Sequence, residues 1–137
     1  MSPLLRKLAT GASACALAAS GLLMASSPAS AATSCLGSTC TGKDPSTTTC
    51  QNDARTVKTA SWGVELRYSP SCRAAWARKT SGASFDTDIK VANSQGASYS
   101  AYYGGNGTVF TRMVNDLDIT AQACERREFG YSCTDWY

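Results

Sequence analysis

The stretch Trp62-Gly63-Val64-Glu65-Leu66-Arg67-Tyr68-Ser69 decides the architecture. Trp62, Val64, Leu66 and Tyr68 fall on one side of an extended chain, and Gly63, Glu65, Arg67 and Ser69 fall on the other. Such alternation marks a half-buried strand. The same period returns downstream, where Phe85, Thr87, Ile89 and Val91 alternate with Ser84, Asp86, Asp88 and Lys90. Ser94-Gln95-Gly96 reads as a turn and Ala97 to Tyr103 as a third strand. Gly104-Gly105-Asn106-Gly107 is the clearest turn, because Asn-Gly tolerates positive φ. Thr108 to Val114 and Leu117 to Arg126 complete the regular part. The pattern predicts a mainly β fold, an antiparallel sheet curled into a small barrel or sandwich. One short helix is expected over about 69–79, with Ser69 as its cap and Pro70 at its first position. Cys72 and Trp76, four apart, would face the core from that helix, leaving Arg73, Arg78 and Lys79 outside.

Upstream of this region the chain changes character. Ala32 to Asn52 is rich in Thr, Ser and Gly and has no hydrophobic period, so disulfides must order it. Before it, a short basic start with Arg6 and Lys7 leads into an Ala-rich apolar run from Leu8 to Ala25. Small residues at Ala29 and Ala31 follow. This is the layout of a signal peptide over 1–31, cleaved after Ala31, with a single secreted domain over 32–137. The apolar run holds too few large aliphatic side chains to favour stable spanning, so no lasting membrane insertion is expected. Neither Cys15 nor Cys35 has the upstream aliphatic residue of a lipoprotein signal.

Losing Arg6 and Lys7 takes the net charge from +3 to +1. A nearly neutral domain lacks the basic stripe of a nucleic-acid binder. The 137 residues contain no His, which excludes Ser-His-Asp and Cys-His triads and every His-ligated zinc motif. No phosphate loop or dinucleotide loop is present, so no cofactor is expected.

Seven cysteines are present, and Cys15 departs with the signal. Cys35, Cys40, Cys50, Cys72, Cys124 and Cys133 remain, an even set that reads as three structural disulfides in a secreted domain. No C-x-x-C pair suggests a metal or redox centre. Fifteen connectivities are open. Closeness in sequence favours Cys40 with Cys50 and Cys124 with Cys133, leaving Cys35 with Cys72.

Several of these residues form longer patterns. They are Cys35-x4-Cys40-x-Gly42-Lys43-Asp44-Pro45-x4-Cys50-x2-Asp53-Ala54, then Leu66-Arg67-Tyr68-Ser69-Pro70-x-Cys72-x-Ala74-Ala75-Trp76-Ala77-Arg78, then Phe110-Thr111-x-Met113-Val114. Together they resemble the YjfA family, a domain of unknown function numbered 2690. That resemblance implies a small secreted or extracytoplasmic domain. It brings no catalytic residues.

Two sets of side chains invite chemistry. Asp86 with Asp88, and Asp116 with Asp118, would lie pairwise on strand faces, as paired carboxylates do in glycoside hydrolysis. Calcium would also suit clustered Asp, but no D-x-[DN]-x-[DN]-G loop occurs and no metal is expected. Cross-strand pairing with Arg67, Lys90 or Arg112 is the simpler reading. The aromatics are the better lead. Tyr99 and Tyr103 share one face of the third strand, leaving Tyr102 on the other as the ligand-binding candidate. Tyr131, Trp136 and Tyr137 crowd the C-terminus. Arg73, Lys79, Arg126 and Arg127 read as a solvated face.

The expected function is a non-enzymatic extracellular binding module for a cell-envelope glycan or a protein partner. A secreted inhibitor or toxin-like effector is the alternative, and a carboxylate-based hydrolase the third. Two or more clustered exposed aromatics would favour glycan binding. A rigid loop presented near Gly42 to Ser46 would favour inhibition. A cleft holding two carboxylates would favour the hydrolase.

Overall fold

The computed structural model describes residues 31–81 and 87–137. Residues 1–30 of the expected signal segment, and Ser84, Phe85 and Asp86 of the expected second strand, lie outside the described residues. Within them, three short 3-10 turns, Gly37–Cys40, Pro45–Thr47 and Thr49–Asn52, precede the strands. The strands are β1 (Arg55–Thr59), β2 (Glu65–Ser69), β3 (Ala74–Lys79), β4 (Thr87–Asn93), β5 (Ser98–Tyr103), β6 (Val109–Phe110), β7 (Val114–Asn115), β8 (Ala121–Arg127) and β9 (Gly130–Cys133). All pair antiparallel. One sheet runs β1-β2-β3-β6, with β7 also on β3, and the other runs β5-β4-β8-β9. The two sheets stay open and stack face to face, which makes the fold a sandwich and not a barrel. Among the described residues no helix is long and apolar enough to cross a membrane.

The alternation continues into strands at Glu65–Ser69 and Thr87–Asn93, whereas Trp62 and Gly63 lie in the turn that precedes β2. Val64 and Leu66 point inward with Ala75 and Ala77 of β3, meeting Ile89 and Val91 of β4 and Ala121 and Ala123 of β8. The turn after β4 is closed by Asn93, whose Oδ1 accepts from the Gln95 and Ala97 amides, and Gly96 supplies a φ of 92°. Gly104 to Gly107, by contrast, makes no hairpin. It carries the chain from β5 across to β6 in the other sheet.

The helix expected over 69–79 does not form. Ser69 ends β2, residues 70–73 turn, and Ala74–Lys79 is a strand. Arg73 adopts φ +49°, and its amide donates to the Ser69 carbonyl at 2.9 Å. Asp53 holds this turn, taking 2.6 Å and 2.8 Å bonds from the Ser69 hydroxyl and the Ser71 amide. Burial pushes the Asp53 carboxyl up, but these bonds outweigh it and hold its pKa below the ordinary value. The Ala-Ala-Trp-Ala run has good helix formers, yet β3 sits mid-sheet with both faces covered. Such a strand shows no polar face for a period-2 reading to find. Cys72 and Trp76 are nevertheless both core residues, with Cys40, Cys50, Ala74 and Met113 in a second apolar cluster on the outer side of β3.

The disulfides are Cys35–Cys40, Cys50–Cys72 and Cys124–Cys133. The third is as expected, but the first two replace Cys40–Cys50 and Cys35–Cys72. The four N-terminal sulfurs gather within 4.8 Å of one another, a cluster whose pairing spacing in sequence does not reveal. Their effect is to clamp the cystine-rich segment as a cap over the outer face of β3.

Lys79 is also not outside. It is fully buried where β3 meets β8, because in a strand it points opposite to Arg78. Its Nζ donates to Glu125 Oε2 at 2.8 Å and to the Trp62 carbonyl at 2.7 Å, and lies 5.9 Å from the Tyr103 ring centroid. Arg127 donates to the other Glu125 oxygen at 2.8 Å and covers the Trp62 ring. This charged knot ties the two sheets together.

Candidate functional site

The outer face of the second sheet is set by alternation along four strands. In β5, Tyr99, Ala101 and Tyr103 turn toward the core, which sends Ser98, Ser100 and Tyr102 outward. In β4 the outward residues are Asp88 and Lys90, in β8 Cys124 and Arg126, and in β9 Tyr131 and Cys133. Register then aligns them: Asp88 faces Tyr102 on one side and Arg126 on the other, and Arg126 faces Tyr131. The result is one row across the sheet, Tyr102–Asp88–Arg126–Tyr131. Three strand spacings separate its ends by about 14 Å.

The row is aromatic at both ends and charged between. Tyr102 is 61% exposed and Tyr131 is 68% exposed. Asp88 and Arg126 form a close ion pair, and that bond together with the Asp88 charge raises the Arg126 pKa. Along the row lies a shallow depression of about 230 Å³, lined by Asp88, Lys90, Ser100, Cys124, Arg126 and Tyr131. The Cys124–Cys133 bridge joins β8 to β9 beside it, fixing the strand that carries Tyr131. Phe129, in the β8–β9 turn, is 91% exposed. Flat rings flanking hydrogen-bonding charged groups suit a ligand with hydroxyl groups and apolar faces.

Tyr102 is where strand alternation puts it. Tyr131 and Arg126 became part of the same surface only through register, which no local pattern reveals. Asp116 and Asp118 do not assemble as a pair, and Asp86, the partner expected for Asp88, lies outside the described residues. Asp116 is buried, with Oδ1 lacking a hydrogen-bond partner, whereas Asp118 is exposed at φ +56° and pairs with Arg73 at 3.0 Å. Residues 117–120 are not extended, so the two carboxylates share no strand face. Asp88 finds Arg126, not Arg67, Lys90 or Arg112.

The segment Gly42 to Ser46 is sewn down. The Gly42 amide donates to the Met113 carbonyl, the Met113 amide to the Lys43 carbonyl, and Arg112 to the Gly42 carbonyl, all at 2.9 Å. Two further clefts open among the described residues. One lies between the cap and the outer face of the first sheet, and one lies beside Asp44, Tyr99 and Arg112. None of the three is lined by more than one carboxylate.

No curated protein and no solved structure matches the chain. A family model does match, over residues 38–124, from the first 3-10 turn through Cys124 of β8. This span contains the whole first sheet, the cap from Ser38 onward and the Asp88 strand. The chain therefore belongs to the family described as protein of unknown function DUF2690.

Proposed function

We propose that the chain is a secreted, non-enzymatic binding module that holds a cell-envelope glycan on the outer face of its second sheet. The observation that carries this reading is the row Tyr102–Asp88–Arg126–Tyr131, with two exposed rings carried on strands about 14 Å apart on a flat, bridged surface. A rigid sheet offers rings whose ordering was completed during folding, so binding them costs little conformational entropy. Ring faces stack on the apolar faces of sugar units, while Asp88, Arg126 and Lys90 meet the hydroxyl groups between. The inhibitor reading asked for a protruding loop at Gly42 to Ser46, and the Gly42–Lys43 end of that loop is tied to residues 112–113. The hydrolase reading asked for a cleft with two carboxylates, and the three clefts described offer at most one each.

Secretion is supported by the signal-like start and by three disulfides, which persist in oxidising compartments. Intact mass of the exported protein should correspond to Ala32–Tyr137, lighter by about 6 Da for three bridges. A retained leader, or any thiol that alkylates without reduction, contradicts this.

The binding reading is tested by retention on purified envelope polymer. Tyr102→Ala should weaken retention and leave the melting temperature nearly unchanged. Lost stability with full retention would assign Tyr102 to packing and remove the platform.

A further inference from the structure

The cleft on the opposite side of the molecule has a different chemistry. On the outer face of the first sheet, register sets Arg67 beside Trp76, and Arg78 between Glu65 and Phe110. The cap closes over them with Gln51, and Thr108 sits at the rim. The cavity is about 260 Å³, with Trp76 and Phe110 as aromatic walls. That is room for one sugar-sized ring, at the small end of ligand pockets.

Its lining holds two guanidinium groups and no carboxylate. Glu65, just behind, serves Arg78: its Oε2 accepts from Arg78 Nε at 2.8 Å, and its Oε1 accepts from the Thr56 hydroxyl at 3.2 Å. Arg67 rests on neutral acceptors, donating to Thr56 Oγ1 at 3.1 Å and the Ala54 carbonyl at 2.9 Å, while its buried Nε has no partner. Among the described residues no carboxylate forms an ion pair with Arg67, and the terminal nitrogens of Arg78 have no protein acceptor. One negative charge thus stands against two positive ones. Burial and then the neighbouring Arg78 disfavour the charge on Arg67, Glu65 offsets them only in part, and a bound anion would relieve the remainder.

We propose that this cleft binds a single carboxylate-bearing sugar unit, a hexuronate-like residue, through the Arg67–Arg78 pair and the Trp76–Phe110 walls. The excess of one positive charge matches a monoanion, and the planar guanidinium fork matches a carboxylate. The aromatic walls take the apolar face of the ring that bears it. The site is independent of the tyrosine platform, since it lies on the other sheet and recognises a charged unit.

The test is calorimetric titration of the secreted protein with glucuronate, its methyl ester, glucose, acetate and inorganic phosphate. Glucuronate should bind, the methyl ester and glucose should not, and acetate and phosphate should bind at least about tenfold more weakly. Arg78→Gln should lower glucuronate affinity at least about tenfold, the loss expected for a charge-assisted hydrogen bond. Thr108→Glu, which places a competing carboxylate at the rim without touching the core, should abolish binding and keep the fold. Equal binding of ester and acid overturns the proposal, as does parent-like affinity in Thr108→Glu. Acetate or phosphate binding as tightly as glucuronate overturns the sugar assignment and leaves a simple anion site. Retention on polymer through Tyr102 is a separate readout, so failure of either site is seen without the other.

Discussion

Asp116 is the residue whose surroundings most plainly oppose its charge. Burial raises its pKa to about 7 from 3.8, although Arg73 pulls the other way, and Oδ1 meets no donor. The folded protein therefore keeps a proton that the unfolded chain releases above about pH 4. The contribution of Asp116 to stability is fullest below that pH and is lost as pH rises toward 7, by up to about 1.4 kcal/mol per unit. Asp116→Asn removes the titration. Its melting temperature should stay flat between pH 4 and 7, and should exceed that of the parent at pH 8. A variant that keeps the parent's decline would locate the pH dependence elsewhere. Lys79 and Glu125 show the opposite solution to burial, with both charges paired and hydrogen-bonded on every side. Breaking such a pair from one side typically costs about 3–5 kcal/mol, because the other charge is stranded. Neither burial was legible in the sequence. Lys79 looked like surface because its partner lies 46 residues away in the other sheet. Tyr102, by contrast, was legible, since alternation within one strand fixes its face once Tyr99 and Tyr103 turn inward.

At the scale of elements, strands with one wet face declared themselves and the others did not. β2, β4 and β5 carry a clean period of two. β3 is buried on both sides, so its Ala-rich run read as a helix behind Pro70, and β1, with its irregular pairing between Thr56 and Lys58, gave no period at all. The cap depends on bridges, because its three short 3-10 turns bury little apolar surface of their own. Cys50–Cys72 joins this cap to the turn between β2 and β3 across 22 residues. Replacing both cysteines by Ser should lower stability by about 3 kcal/mol, the loop-closure value for a bridge of this span. The loss should be visible as a drop in melting temperature and in protease resistance of residues 31–52. Parent-like melting would mean that Trp76, Met113 and the backbone ladder to Met113 hold the cap unaided.

Across the whole molecule, two stacked sheets expose two unlike outer faces. One is flat, ringed by Tyr102 and Tyr131, and stapled by Cys124–Cys133. The other is roofed by the cap and concave around Arg67 and Arg78. The sequence carries the residue types for both but not their assembly, because each surface is drawn from strands distant in the chain and joined by register. On the reading proposed above, the flat face holds an envelope glycan. The most direct measurement is retention of the secreted protein on purified envelope polymer, comparing the parent with a Tyr102→Ala, Tyr131→Ala double variant of matched melting temperature. The claim predicts that the parent is retained and the double variant elutes with the unbound fraction. Equal retention of both proteins, or no retention of the parent, would contradict it.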